Sequence, residues 1–218
     1  MTLIFKGSNQ PTIGVEIELQ ILDPATLDLT PQSEKLLECC KERGIYRVKT
    51  EIHQCMIEVD SEISTDVKEC RAFLKKRLQE TCCAADSLGL KLAVTGTHPF
   101  QKWTDSLISN RVRYKNLHDK FQWLARRMNI YGMHVHVGVS SGERALAISN
   151  VLAPYLPHLL ALSASSPFWQ GIYTGMNSSR ISILDAFPYS GFPLRFTTWN
   201  EFEHYYNTLH RIEAGRFN

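Results

Sequence analysis

Three short stretches hold residues whose type and spacing suit chemistry. In TIGVEIELQI, residues 12–21, Glu16 and Glu18 stand two apart among alternating apolar residues. Alternation puts both carboxylates on one strand face, about 7 Å apart. Two like charges at that spacing call for a cation beside them, and a hard divalent ion takes carboxylate oxygens readily. A solvated outer face explains the same pattern. In EIHQCMIEVDSE, residues 51–62, Glu58 and Asp60 share a face with Gln54 and Met56. Glu51 and His53 fall on the opposite face of a continuous strand unless a bulge intervenes. In MHVHVGV, residues 133–139, His134 and His136 point the same way and Gly138 leaves that face open. Two imidazoles from one strand can ligate a metal, donate to phosphate, or simply hydrogen-bond to neighbours. Arg180, in a Gly/Ser-rich stretch, is either an anion binder for carboxylate or phosphate or a plain surface arginine. Arg111 and Arg113, ahead of Tyr114, are weaker candidates for the same role.

The elements that must position these residues follow from periodicity and punctuation. Strands are expected over 12–21, 91–97 and 133–139, with 48–62 extended. Helices are expected over 33–43, capped by Ser33 and closed by Gly44, over 66–88, stopped by Gly89, and over 106–128. A further helix over 142–165 contains Pro154 and Pro157 and should kink or break there. Residues 168–193 read as a long loop. A last helix runs over 199–211, with Thr197 and Thr198 as cap candidates. The strands alternate in polarity rather than being apolar throughout, which favours an antiparallel sheet with one covered face, hence an α+β fold.

Composition excludes several classes. The 218 residues are 44% hydrophobic and 21% charged, with 24 Lys and Arg against 22 Asp and Glu, a net +2. A disordered chain would be poorer in apolar residues. A nucleic-acid binder would show a basic block. No unbroken apolar run of about 18 residues is present, so no membrane span is expected. The first ten residues lack a signal-peptide core, so the expected location is cytoplasmic. The six cysteines include no CxxC and are expected to be buried or half-buried free thiols. P-loop, Rossmann and GxSxG motifs are absent.

In order along the chain stand GVEIELQ, EIHQCMIEVDSE, GTHPF, NRVRY, YGMHVHVGV, LSASSPFWQG and SSRISILDAFPYSGFP. Together they resemble the glutamate–cysteine ligase type 2 family of carboxylate–amine ligases, over about residues 11–206. The resemblance implies a glutamine-synthetase-like fold: a curved, mostly antiparallel sheet with helices on one face and Mg²⁺ and ATP on its concave side. It implies a weak to moderate ligase activity, in which ATP phosphorylates the γ-carboxylate of glutamate and the amine of cysteine displaces phosphate. By the same resemblance Glu16, Glu18, Glu58 and His134 are metal ligands. His134, His136 and Arg180 contact the nucleotide or its phosphates, and Arg180 and Glu51 serve catalysis. Partners are small molecules, with no nucleic acid and no membrane; an exposed sheet edge and the apolar helix from Gly142 are compatible with a homodimer. The family continues past the helix near Trp199 with an RPHxxxGTxExR-type strand segment and further helices, so residues 1–218 are expected to be one ligase domain's N-terminal portion. Two other readings stand beside this one: a metal-dependent hydrolase built on the HxH strand, and a non-catalytic relative or fragment that keeps the fold.

Overall fold

The computed structural model describes residues 2–188 and 190–215. In chain order the elements are β1 (Thr12–Leu22), α1 (Ser33–Glu42), β2 (Val48–Thr50), β3 (Met56–Asp60), α2 (Val67–Ser87) and β4 (Lys91–Ala93). There follow α3 (Val112–Phe121), α4 (Trp123–Arg127), β5 (Met133–Gly138), α5 (Gly142–Leu152) and α6 (Leu156–Leu162). The chain then forms β6 (Phe168–Trp169), β7 (Ile172–Tyr173), α7 (Arg180–Leu184) and α8 (Trp199–Gly215). The main sheet has the order β2-β3-β1-β4, with β5 also paired to β1. The β1–β3, β1–β4 and β2–β3 pairs are antiparallel. This is the mixed helical and antiparallel α+β class that the alternating strands indicate.

Two compact units make up the chain. The larger covers Ile13–His136 and Leu160–Gly191, and the smaller comprises the described residues of Met1–Thr12, Val137–Leu159 and Phe192–Asn218. In the larger unit the odd-numbered residues of β1 do the burying. Leu19 and Ile21 pack with Val48, Ile57 and Val59 against Leu36 and Cys40 of α1 and Ala84 and Ala85 of α2. Each fully buried Leu or Ile contributes roughly 1.5–3 kcal/mol by leaving water. That packing fixes register, since a one-residue slip would drive Glu16 and Glu18 into the core. A second core gathers Ile52, Met56, Tyr114, Ala125 and Tyr131, with Phe121 and Phe187 against it. Met56 lies across from Gln20 on the polar face of β1, so this core borders the carboxylates.

The start of α2 is set by its cap. Asp66 is extended and its carboxylate accepts from the Glu69 amide at 2.8 Å, while Glu69 accepts from Thr65 at 3.0 Å. Asp66→Ala is expected to lower stability by about 1 kcal/mol in a urea titration. In the smaller unit Thr198 and Glu201 form the same reciprocal arrangement at α8, with Thr198 Oγ1 accepting from the Glu201 amide at 3.2 Å. There Gly142 lies so close to the Trp199 ring that an added Cβ would sit 2.3 Å from it.

Several expectations are corrected. Residues 48–62 are not one extended segment: β2 and β3 form a hairpin reversed over residues 51–55. Residues 106–111 are not helical, because Ser109 and Leu107 pair with Ile52 and Gln54 of that reversal, and the helix beyond them breaks at Gln122, with φ 44°. Strand β4 ends at Ala93. The stretch 168–193 contains the β6–β7 hairpin and α7 rather than loop alone. Ser33 does not cap α1; Gln32 holds that position without a side-chain bond, and the Ser33 hydroxyl is buried without a partner. The break near Pro154 occurs as expected, as a 3₁₀ turn over Ala153–Tyr155. By length and composition the helical stretch Gly142–Leu162 would suffice to cross a membrane, but it is interrupted by polar residues and one such stretch does not by itself make a span. All six cysteines are free, but Cys82 and Cys83 are exposed rather than buried.

Candidate functional site

The polar face of the sheet gathers the carboxylates. Antiparallel register sets Glu16 opposite Asp60 and Glu18 opposite Glu58, so four acidic side chains occupy adjacent positions on one face. Directly opposed like charges destabilise a sheet unless something compensates. Part of the compensation is Lys49, the register partner of Glu58. Its ammonium lies 3.0 Å from Glu58 Oε1 and 2.5 Å from Asp60 Oδ2. Burial pulls the Lys49 ammonium down, but its hydrogen bonds to Asp60 and Glu58 outweigh this and raise it. Burial pushes Asp60 up against the pull of Lys49, and Asp60 Oδ1 is buried with no partner.

Glu16 reaches the histidines of β5. Its carboxylate is in contact with His136 Nε2 and lies 3.7 Å from His134 Nδ1. Burial opposes ionisation of Glu16, but a hydrogen bond with Glu58 and the charge of His136 prevail, so it stays below the ordinary carboxylate value. One ligand atom each from Glu16, Glu58 and His134 can be found within 4.8 Å of one another. Two hard oxygen donors and an imidazole suit a divalent cation such as Mg²⁺ or Mn²⁺. The excess of carboxylates over ammonium groups on this face fits the same cation.

Glu18 is set slightly apart. Its Oε2 accepts the Gly132 amide at 2.6 Å, and its own amide donates to the Gly132 carbonyl at 3.0 Å. Burial raises the Glu18 carboxyl, against the Gly132 hydrogen bond, and the charges of Glu51 and Glu58 add to the rise. Glu51 therefore belongs to this face. The hairpin, rather than a bulge, brings it there, two residues beyond Lys49. Burial raises Glu51 as well, opposed by a hydrogen bond from Tyr114 and the charge of Arg113. Arg111 is engaged elsewhere, with Nε donating to Thr50 Oγ1 at 3.3 Å.

Arg180, the first residue of α7, donates through its two terminal nitrogens to backbone carbonyls: NH1 to Tyr131 at 2.6 Å and NH2 to Ser163 at 3.2 Å. Gly96 makes room for its stem; a Cβ there would sit 3.0 Å from Arg180 Cδ and equally close to Ser165 and Ser166. Gly138 does not leave the β5 face open as expected: a Cβ there would meet Thr12 Oγ1 at 2.1 Å and Ser8 Oγ at 2.5 Å. Lys49, Tyr114 and Gly132 were not singled out in the sequence. Lys49 had a signal, its two-residue spacing from Glu51, but only once the hairpin is known does that spacing place it against Glu58.

The glutamate–cysteine ligase family 2 matches residues 12–212. A Gloeobacter violaceus protein is 42% identical over 218 residues, covering 99% of this chain and 58% of that relative. A Thermobifida fusca protein is 41% identical, covering 99% and 54%, and a Janthinobacterium protein 39%, covering 95% and 56%. All three carry the provisional name glutamate–cysteine ligase 2. The chain spans about half the length of the curated relatives it matches. With the family's match running from the first residue of β1 into the last helix, and thus across every carboxylate and histidine of the polar face, the chain belongs to glutamate–cysteine ligase family 2.

Proposed function

We propose that this chain carries the cation- and nucleotide-binding face of an ATP-dependent carboxylate–amine ligase that joins the γ-carboxylate of glutamate to the amine of cysteine. The observation that carries this reading is the convergence of Glu16, Glu58 and His134 on one sheet face. A carboxylate is a poor electrophile and must first become an acyl phosphate. That step brings an anionic phosphoryl group to a second anion, and a divalent cation supplies the charge neutralisation it needs. Glu16, Glu58 and His134 would hold the cation. Glu18, on the same sheet face with one oxygen committed to Gly132, would offer its other oxygen to the cation. His136 stays beside Glu16, its Nε2 in contact with the carboxylate. Glu51, raised by burial, is suited to take up a proton when the amine attacks the acyl phosphate.

The test is phosphate release from Mg-ATP by the full chain, measured with glutamate and cysteine singly and together. Release that requires both amino acids is expected, with γ-glutamylcysteine in equal amount. Hydrolysis indifferent to amino acids, or failure to bind Mg-ATP in calorimetry, overturns the ligase reading. Hydrolytic activity without nucleotide, together with retained zinc, would instead identify the HxH strand as part of a hydrolase.

A further inference from the structure

The carbonyl that Arg180 binds and the amide that Glu18 binds belong to one peptide group. Arg180 NH1 donates to the Tyr131 oxygen at 2.6 Å. The nitrogen on the other side of that peptide bond, Gly132 N, donates to Glu18 Oε2, also at 2.6 Å. A guanidinium and a carboxylate thus sit at the two ends of a single planar amide. We infer that Arg180 is a positioning residue for Glu18: it polarises the Tyr131–Gly132 peptide and thereby holds the carboxylate that faces the cation site.

Two physical arguments support this. Hydrogen bonds to charged groups are shorter and roughly twice as strong as neutral ones, and both bonds here have a charged partner. Bonds that share an amide also reinforce each other, by about 10–30% each, because drawing electron density toward the carbonyl sharpens the N–H as a donor.

The peptide is held in place independently of Arg180. Tyr131 is 2% exposed. Its hydroxyl donates to Asn129 Oδ1 at 2.9 Å, Asn129 Nδ2 donates to Ser106 Oγ at 2.7 Å, and the Tyr131 amide donates to the Gly96 carbonyl at 3.0 Å. With the backbone anchored on these sides, the contribution left to the guanidinium is electrostatic rather than architectural. The second terminal nitrogen, bound to Ser163 O, fixes the guanidinium itself.

The amide readout below stands without the proposed activity; the cation readout rests on the cation site proposed above. In the ¹⁵N-labelled full chain, Arg180→Met should move the Gly132 amide proton upfield while the chain stays folded, with a urea midpoint modestly below wild type because two carbonyls lose a donor. The same variant should weaken Mn²⁺ binding, followed by electron paramagnetic resonance, by about tenfold, the usual cost of losing a partner that orients a metal ligand. Arg180→Lys, which can offer one charged donor to the same carbonyl, should recover part of both effects, and it carries the test by the same readouts should the methionine variant not fold. An unmoved Gly132 amide overturns the proposal, and so does a moved amide with unchanged Mn²⁺ affinity. Neither readout involves ATP or turnover. Loss of the ligase reading with a responsive amide, and an intact ligase with an unresponsive one, are therefore separate results.

Discussion

Replacing Glu16 by Gln is expected to weaken Mn²⁺ binding by more than about a hundredfold, beyond the 10–100-fold usual for a partner that merely orients a ligand. Among the described residues Glu16 is the one carboxylate paired with both histidines of β5, and it also shares a hydrogen bond with Glu58. The amide keeps the shape and removes the charge. Without metal the fold should not suffer, because β1 packs through Leu19 and Ile21 on the other side. A neutral side chain opposite Asp60 relieves that repulsion but gives up the attraction of His136 that holds Glu16 below the ordinary carboxylate value, so the metal-free variant should lie close to wild type or slightly below it. The two proteins then diverge when Mn²⁺ is added. At a concentration one hundred times its own dissociation constant the wild type gains about 2.7 kcal/mol in a urea titration; the variant, bound one hundredfold more weakly, gains only about 0.4 at that concentration. Affinity within threefold of wild type would remove Glu16 from the cation site. Under the ligase reading the same variant should lose Mg-dependent ATP turnover.

How much of this site the sequence revealed depended on whether a local rule governed each residue. Glu16, Glu18, His134 and His136 were legible because strict alternation in β1 and β5 assigns them to a face without reference to anything distant. Asp66 and Thr198 follow equally local capping chemistry. Glu51 was named by the family resemblance, but its place on this face was not legible from spacing. The reversal over 51–55 carries no Asn-Gly or Asp-Gly signal, and it is held by pairing with residues 107–109, more than fifty positions away. That same pairing keeps residues 106–109 extended where their spacing suggested a helix, so one long-range contact accounts for both misreadings. Arg180 was singled out by type, but its partners are backbone carbonyls at 131 and 163, and no side-chain pattern advertises a carbonyl.

His53, two residues after Glu51, should contribute a large destabilisation to the fold as pH falls. It is fully buried in the reversal, and neither ring nitrogen makes a well-formed hydrogen bond. Burial lowers the imidazole from 6.5 to about 4, against an opposing pull from the backbone at Leu107 and Met128. The sign follows from which state takes the proton. Above pH 6.5 the ring is neutral in both states and costs nothing. As pH falls below 6.5 the unfolded chain binds a proton that the native ring refuses until about pH 4, so stability drops. With these values the loss is about 2 kcal/mol at pH 5 and about 3 at pH 4. The raised carboxyls of Glu18, Glu51 and Asp60 act the other way, since protonation favours the native state as pH falls through their range. The wild-type profile therefore blends both signs, and a variant is needed to isolate the histidine. His53→Leu is close in volume and has no unsatisfied nitrogens, so it should match or exceed wild-type stability at pH 7. Its advantage should widen by about 2 kcal/mol between pH 7 and pH 5 in urea titrations with EDTA present. A constant difference across that interval would mean that His53 takes up its proton in the native state after all, and that the pocket around it opens to water.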